Sequence, residues 1–182
     1  MNALVKGGHP GALVVGGVIQ ELDQNKNVIF QWRSWDHYEI TDSYNDLTQT
    51  VIDAVHLNSI EMDNDNHLII SALALAEVTK IDRQTGDIMW RMGGKNNEFT
   101  FVNESQEHAP IYFMYQHDVR RLPNGNITMF DNGDLDLRPY SRVVEYAVDE
   151  DPKTVTKVWE YRKSPDVYSE NKGNAQRLTN AN

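Results

Sequence analysis

Along most of this chain, short runs of apolar or alternating residues give way every few positions to polar turns. Runs of about four to eight residues with period two fit half-buried strands and are too short for helices. The pattern is plainest in the second half, where "HDVRRL", "NITMFD", "RVVEYAV" and "VTKVWEY" follow one another from residue 117. Between the first two lies "PNGN" at 123–126, a hairpin signal, because Asn-Gly readily takes the positive φ angles of a tight turn. A related element recurs at 18–33 ("VIQELDQNKNVIFQWR"), 78–92 ("VTKIDRQTGDIMWRM") and 143–162 ("VVEYAVDEDPKTVTKVWEYR"). Each has a β-rich run, a polar turn and an apolar run ending around an aromatic. Phe30, Trp90 and Trp159 align, as do Trp32, Met92 and Tyr161 two residues later, so each pair shares one face of a strand. The aromatic positions read as core between sheets. "ISALALAEVTKI" at 70–81 could pass for a short helix, but its place in the repeat predicts strand.

The repeat is close to 60 residues. "HLNSIEMDNDNHLIIS" begins at His56 and "HDVRRLPNGNITMFDN" at His117, 61 positions later (117 against 56). The closing "GNAQRLTNAN" reads as the opening of a third copy, with Gly173 where the histidine would be. Four strands per period is how β-propeller blades are written. The expected fold is therefore all-β, a single partial propeller over 1–182, with blade material near 13–50, 51–112 and 113–170 and the next blade starting at 171–182. A closed propeller needs at least about four blades, and about three are present. The chain is expected to be a piece of a longer protein rather than an open arc, whose bare edges would associate into a homo-oligomer.

Composition narrows the function. The net charge is −10, with no basic cluster beyond Arg120–Arg121, which argues against nucleic acid or an anionic membrane as partner. No apolar run approaches the roughly 20 residues needed to span a bilayer, and the glycine-interrupted "MNALVKGGHPGALVVGGV" does not read as a signal peptide. With no cysteine, disulfides, thiolate metal sites and a cysteine nucleophile are excluded. "GGKNNEF" at 93–99 lacks the ending of a phosphate loop, and "DNDN" at 63–66 lacks the glycine and distal glutamate of a calcium loop, so no cofactor is expected.

Taken alone, His117 would be a strand-opening histidine bonded to a neighbouring blade, and Asn58 an asparagine satisfying backbone groups near a strand end. The stretches "IDAVHLNSIEMD", "EVTKIDRQTGDIMWRMGGKNNEF", "YQHDVRRLPNGNITMFDNG" and "PYSRVVEYAVDE", with a looser match at 18–40, change that balance. Several adjacent motifs in order make the chain resemble the bacterial, aryl-sulfate-dependent arylsulfotransferases, over most of residues 18–178. The resemblance implies a six-bladed propeller that moves a sulfuryl group from a phenolic sulfate ester to a phenol without a nucleotide donor, in ping-pong fashion, and export to the periplasm or outside. It maps the transiently sulfated histidine of a "QH" motif to His117 and an "HxN" motif to His56 and Asn58.

The implied chemistry suits those residue types. Neutral imidazole can attack sulfur and form a labile N-sulfonate. A second imidazole can protonate the departing phenolate and later take the proton of the incoming phenol. Asn58 offers an uncharged amide donor for a sulfuryl oxygen. If His56 and His117 open equivalent strands of successive blades, both are expected to reach one axial cavity. Asp53, Asp118 and Asp131 are expected to hold turns or orient the rings, and "DNG" at 131–133 reads as a turn. The family's arginine after "HxN" falls near Leu73 here, which removes a bidentate sulfate clamp. Arg120, Arg121 and Arg142 are the candidate substitutes; alternation points Arg120 and Arg121 to opposite faces, and Arg120 and Arg142 are the ones expected to bind substrate. Two other readings compete. One is a propeller that binds aryl or anionic ligands without turnover. The other is a metal-dependent hydrolase or lyase using His56, His117 and a nearby aspartate.

Overall fold

The computed structural model describes residues 5–178 and is all-β, as the alternation predicts. Its strands are β1 (Leu13–Val15), β2 (Val18–Leu22), β3 (Val28–Arg33), β4 (Val51–Asp53), β5 (Leu57–Met62), β6 (Leu68–Ala72), β7 (Glu77–Ile81), β8 (Ile88–Gly93), β9 (Thr100–Val102), β10 (His117–Arg121), β11 (Ile127–Asp131), β12 (Arg142–Asp149) and β13 (Thr154–Arg162). β5 to β8 form a four-stranded antiparallel meander. β10 to β13 form a second, with β9 added in parallel to the outer edge of β13. β2–β3 is an antiparallel hairpin, and β1 pairs in parallel with β4. "ISALALAEVTKI" resolves into the end of β6, a 3-10 turn at Leu73–Leu75 and β7, with Ala76 in the left-handed region (φ 51) closing the corner.

The alternating faces of β6 explain why it is buried throughout. Ile69 packs toward the β10–β13 sheet with Val78, Trp90, Met92, Val119, Met129 and Tyr146. Leu68 and Ile70, one residue to either side, pack toward the β2–β3 hairpin with Trp32 and Tyr38. A strand covered on both faces reads as a continuous apolar run. Each large aliphatic fully removed from water here contributes about 1.5–3 kcal/mol. Trp90 is core as expected. Phe30 is half-buried beside the Trp32 cluster, and Trp159 is half-buried under the Arg177 guanidinium, 4.1 Å from the ring centre. Tyr161, its same-face neighbour, is 56% exposed.

The register of the repeat differs from the histidine-to-histidine match. In the β5–β6 turn, Asp63 N–H donates to the His67 carbonyl and Asn66 N–H to the Asp63 carbonyl; in the β10–β11 turn Leu122, Asn126 and Gly125 make the same pair of bonds. At the other end, Ala74 N–H donates to the Val55 carbonyl, and Gly133 N–H to the Met114 carbonyl. Both ends give a period of 59 (122 against 63, 114 against 55) rather than 61. His117 is thus the counterpart of Asn58, and His56 that of Tyr115; these last two share a left-handed backbone, at φ 51 and 53. An error of two residues leaves every side chain on its original strand face, so alternation alone does not expose it. Of the third copy expected at 171–182, residues 171–178 are described and form no strand. Residues 1–4 and 179–182, covered by the readings of the N-terminus and of that copy, lie outside the described residues.

A charge network ties the two four-stranded sheets together at one rim. Lys80, almost fully buried, lies 2.8 Å from Asp63, 2.7 Å from Asp65 and 3.0 Å from Glu150; Arg121 bonds Asp63 at 2.7 Å and Glu150 at 2.9 Å. Burial alone would raise the Asp63 carboxyl, but Arg121 and Lys80 outweigh it and hold the group below its ordinary value of 3.8. Asp131, fully buried, is likewise held low by Arg138 and Arg142 against desolvation. A carboxyl lowered by folding contributes stability that is complete above its unfolded value and is lost as pH falls through the folded one. Urea unfolding is therefore expected to show stability falling steeply as the solution is acidified below about pH 4. An Asp63→Asn variant is expected to be weaker at neutral pH and to lose less of its remaining stability on acidification; an equal acid dependence in both proteins would contradict this assignment.

Candidate active site

A cleft of about 550 Å³ runs where β5 and β10 lie side by side. Its lining combines the apolar Val18, Ile19, Leu57 and Ile60 with the polar Asn58, Ser59, His117, Asp118, Arg120 and Asn174, and with Gly173. The sequence places His117 there because β10 starts with it, immediately after a stitched entry loop. Gln116 is fully buried, and its amide nitrogen donates to the Ser71 hydroxyl at 3.1 Å and to the Glu77 carbonyl at 3.0 Å. Its own carbonyl accepts a 2.7 Å bond from Asn58 Nδ2. One amide hydrogen of Asn58 is thus spent on the backbone just before His117, its second remains, and its Oδ1 is buried without a partner.

The His117 ring is half-buried and its tautomer follows from its neighbours. Nδ1 is 2.9 Å from the Tyr115 carbonyl and 2.9 Å from Asn132 Oδ1, both acceptors, so Nδ1 carries the hydrogen, and Nε2, which faces the Lys172 N–H, is the accepting nitrogen. The Lys172 N–H approaches Nε2 at 3.3 Å. Gly173 follows with φ 123, and a Cβ there would sit 2.4 Å from the Phe130 ring, which requires glycine at this close approach.

His56 is placed differently. Its Nδ1 lies 2.6 Å from Asp53 Oδ2, with both side chains nearly half exposed. It lines a neighbouring cleft with Val15, Gly16, Gly17, Val18, Asp53 and Leu57. Val18 and Leu57 line both clefts. The expectation that both rings line one cavity is not met among the described residues, and the register explains it: His56 sits two positions before the counterpart of His117.

The two arginine candidates also part company. Arg120 lines the cleft, half exposed, with Nε on Asp118 at 2.7 Å and one terminal nitrogen on Glu61 at 2.7 Å. The hydrogen bonds it donates to Glu61 and Asp118 hold its guanidinium above its ordinary value. Arg121 points away into the rim network, as alternation predicts. Arg142 is nearly buried and does not line the cleft. Its guanidinium is taken up by Asp131 at 2.8 Å, Glu160 at 2.9 Å, the Tyr112 carbonyl at 2.7 Å and Glu104. Burial disfavours its charge, but Asp131 and Glu104 more than offset this and keep it protonated. With all three guanidinium nitrogens bonded to protein acceptors and the side chain nearly buried, Arg142 is poorly placed to hold a sulfate. Leu73, where the sequence resemblance puts an arginine, is half-buried in the corner after β6, and its N–H donates to the His56 carbonyl.

A family model described as Arylsulfotransferase (ASST) matches residues 5–182. The chain belongs to this family. Among curated relatives, it is similar to an arylsulfate sulfotransferase AssT of Escherichia coli O6:H1, 32% identical over 144 residues, covering 63% of this chain and 24% of that protein. It is also similar to an arylsulfate sulfotransferase AssT of Lelliottia amnigena, 38% identical over 78 residues, covering 37% of this chain and 13% of that protein. The chain therefore spans about a quarter or less of the length of these arylsulfotransferases.

Two site residues escaped the sequence. Asn132 was legible only as the middle of a "DNG" turn, and Lys172 contributes a backbone group that no side-chain pattern signals. The register of 59 would have revealed the first, since it makes Asn132 the counterpart of Leu73, where the family arginine falls. Among the described residues, no three His, Cys, Asp or Glu side chains gather in a way that could hold a metal ion, so the metal-dependent reading has no donor set there. Among the described residues, no helix is long and apolar enough to cross a membrane.

Proposed function

We propose that this chain carries part of the active site of an aryl-sulfate-dependent sulfotransferase, with His117 Nε2 as the atom that accepts the sulfuryl group. The observation that carries this reading is the state of His117. Its Nδ1 is held by two uncharged acceptors, its Nε2 faces a backbone N–H, and it lines a cleft that offers apolar side chains for an aryl ring and polar ones for a sulfate. The Nε2 lone pair attacks sulfur, the bond from sulfur to the phenolic oxygen breaks, and its electron pair leaves on the phenolate. In the second half, the oxygen of an acceptor phenol attacks the same sulfur and the N–S pair returns to Nε2. Arg120 and the second N–H of Asn58 serve the sulfuryl oxygens. His56, backed by the Asp53 carboxylate, exchanges protons with the phenols through a phenol or water bridging the two clefts across Leu57.

In this reading the four-stranded sheets are blades of a six-bladed propeller, the partners are a small phenolic sulfate and a phenol, and the protein works in the periplasm or outside the cell. Association into a homo-oligomer is a further expectation, tested by its mass in solution. The test of the chemistry is to mix the chain with para-nitrophenyl sulfate alone. Release of about one nitrophenolate per chain, with His117 found sulfated by mass spectrometry and discharged by added phenol, is expected. Sulfate on another residue, or discharge without a modified intermediate, would overturn the assignment. Leucine at position 73 favours a second reading, binding without turnover; thermal stabilisation by the ester with no nitrophenolate released is its signature.

A further inference from the structure

The "DNG" turn at 131–133 does more than reverse the chain. Asn132 is fully buried, and its amide nitrogen donates at 2.8 Å to the carbonyls of both Ser169 and Lys172. Those two carbonyls establish which end of the amide is nitrogen, so the atom 2.9 Å from His117 Nδ1 is the oxygen. The same segment returns to the ring: Lys172 N–H lies over Nε2 at 3.3 Å, and Gly173 and Asn174 line the cleft. One side chain therefore touches the histidine on one edge and holds the strap that covers its other nitrogen.

From this geometry we propose that Asn132 is a positioning residue that sets the tautomer of His117 and anchors residues 169–172 as a strap across Nε2. The proposal rests on His117 being the sulfuryl acceptor and adds how that atom is prepared and guarded. An amide suits the first task better than a carboxylate. It accepts the Nδ1 hydrogen without stabilising the imidazolium, whose Nε2 has no lone pair to give sulfur. His56, with the Asp53 carboxylate on its Nδ1, has the partner appropriate to a group that must carry a proton. The Lys172 N–H occupies the lone pair that attacks, so the strap has to shift before the N–S bond forms.

The experiment is heteronuclear NMR on the nitrogen-labelled full chain, with the His117 signals identified by their loss in His117→Gln. In the wild type, Nδ1 is expected to show a protonated and Nε2 an unprotonated signature; a protonated Nε2 in the neutral ring overturns the proposal without any variant. In Asn132→Leu, a second tautomer with hydrogen on Nε2 is expected, together with Lys172 amide exchange faster by about tenfold or more. In Asn132→Asp, the acceptor is kept but the donor is lost, so at a pH high enough to keep the ring neutral the wild-type tautomer should persist while Lys172 exchange accelerates. An unchanged tautomer in folded Asn132→Leu would show that the Tyr115 carbonyl suffices, and unchanged exchange in Asn132→Asp would remove the strap. None of these readouts needs turnover. A wild-type pattern with a His117 that never becomes sulfated would sink the sulfotransfer reading and leave this one standing.

Discussion

Replacing His117 with alanine is expected to lower sulfuryl transfer by roughly 10⁴-fold or more, the scale seen when a covalent nucleophile is removed. Loss of the modified peptide should accompany loss of rate, because the same atom is the site of both. The cleft should still bind the donor, since its apolar lining residues Val18, Ile19, Leu57 and Ile60 and the Arg120 side chain are untouched. Donor-dependent thermal stabilisation should therefore survive in a protein that no longer turns over. His56→Ala is expected to act differently, slowing esters with poor leaving groups far more than para-nitrophenyl sulfate, whose phenolate departs without a proton. Equal losses for both kinds of donor would remove His56 from proton transfer. A transferring His117→Ala protein would leave the nucleophile elsewhere.

Arg142→Ala should cost about 3–5 kcal/mol of stability, read as a shift in the urea midpoint at unchanged slope. The size follows from what is left behind. Asp131 is fully buried and Glu104 nearly so, and both lose a charged partner, although Arg138 still bonds Asp131 and Lys157 still reaches Glu104 at 2.8 Å. Removing one member of a buried ion cluster strands the others, and that penalty exceeds the net worth of the cluster. A sulfate-binding arginine would show the opposite profile, with stability nearly unchanged and a raised KM for the donor. Arg120→Ala is the contrasting variant: half exposed, with its Glu61 and Asp118 bonds screened by solvent, it should change stability by no more than about 1 kcal/mol and act on donor affinity.

Much of the fold could be read without coordinates because it is local. Asn-Gly at 124–125 produces a hairpin in any context that tolerates it, and β10 to β13 appear where "HDVRRL", "NITMFD", "RVVEYAV" and "VTKVWEY" stand. The site was only half legible. His117, Asn58 and Arg120 do share one cleft, but His56 opens onto the next one and Arg142 is enclosed elsewhere. Matching histidine to histidine gave a plausible repeat, and no test based on alternation could reject it, because a slip of two preserves every face. Only the turn and corner hydrogen bonds distinguish 59 from 61. The buried Asn132 was hidden for a related reason: a turn asparagine has the same local signature whether its amide faces water or a histidine 15 residues away.

The amino-acid sequence by itself determined the strands, their alternating faces, the turns between them and membership of the arylsulfotransferase family, since these depend on neighbours within a few residues or on motifs in order. The tertiary structure decided which polar groups are free to act. Arg120 and Arg142 are chemically identical, yet one meets a cleft and the other meets Glu104 and Glu160, 38 and 18 residues away in the chain. The availability of a guanidinium or an imidazole nitrogen depends on which acceptors and donors fold against it. Those partners come from other strands and loops, so they exist as neighbours only once the sheets have packed.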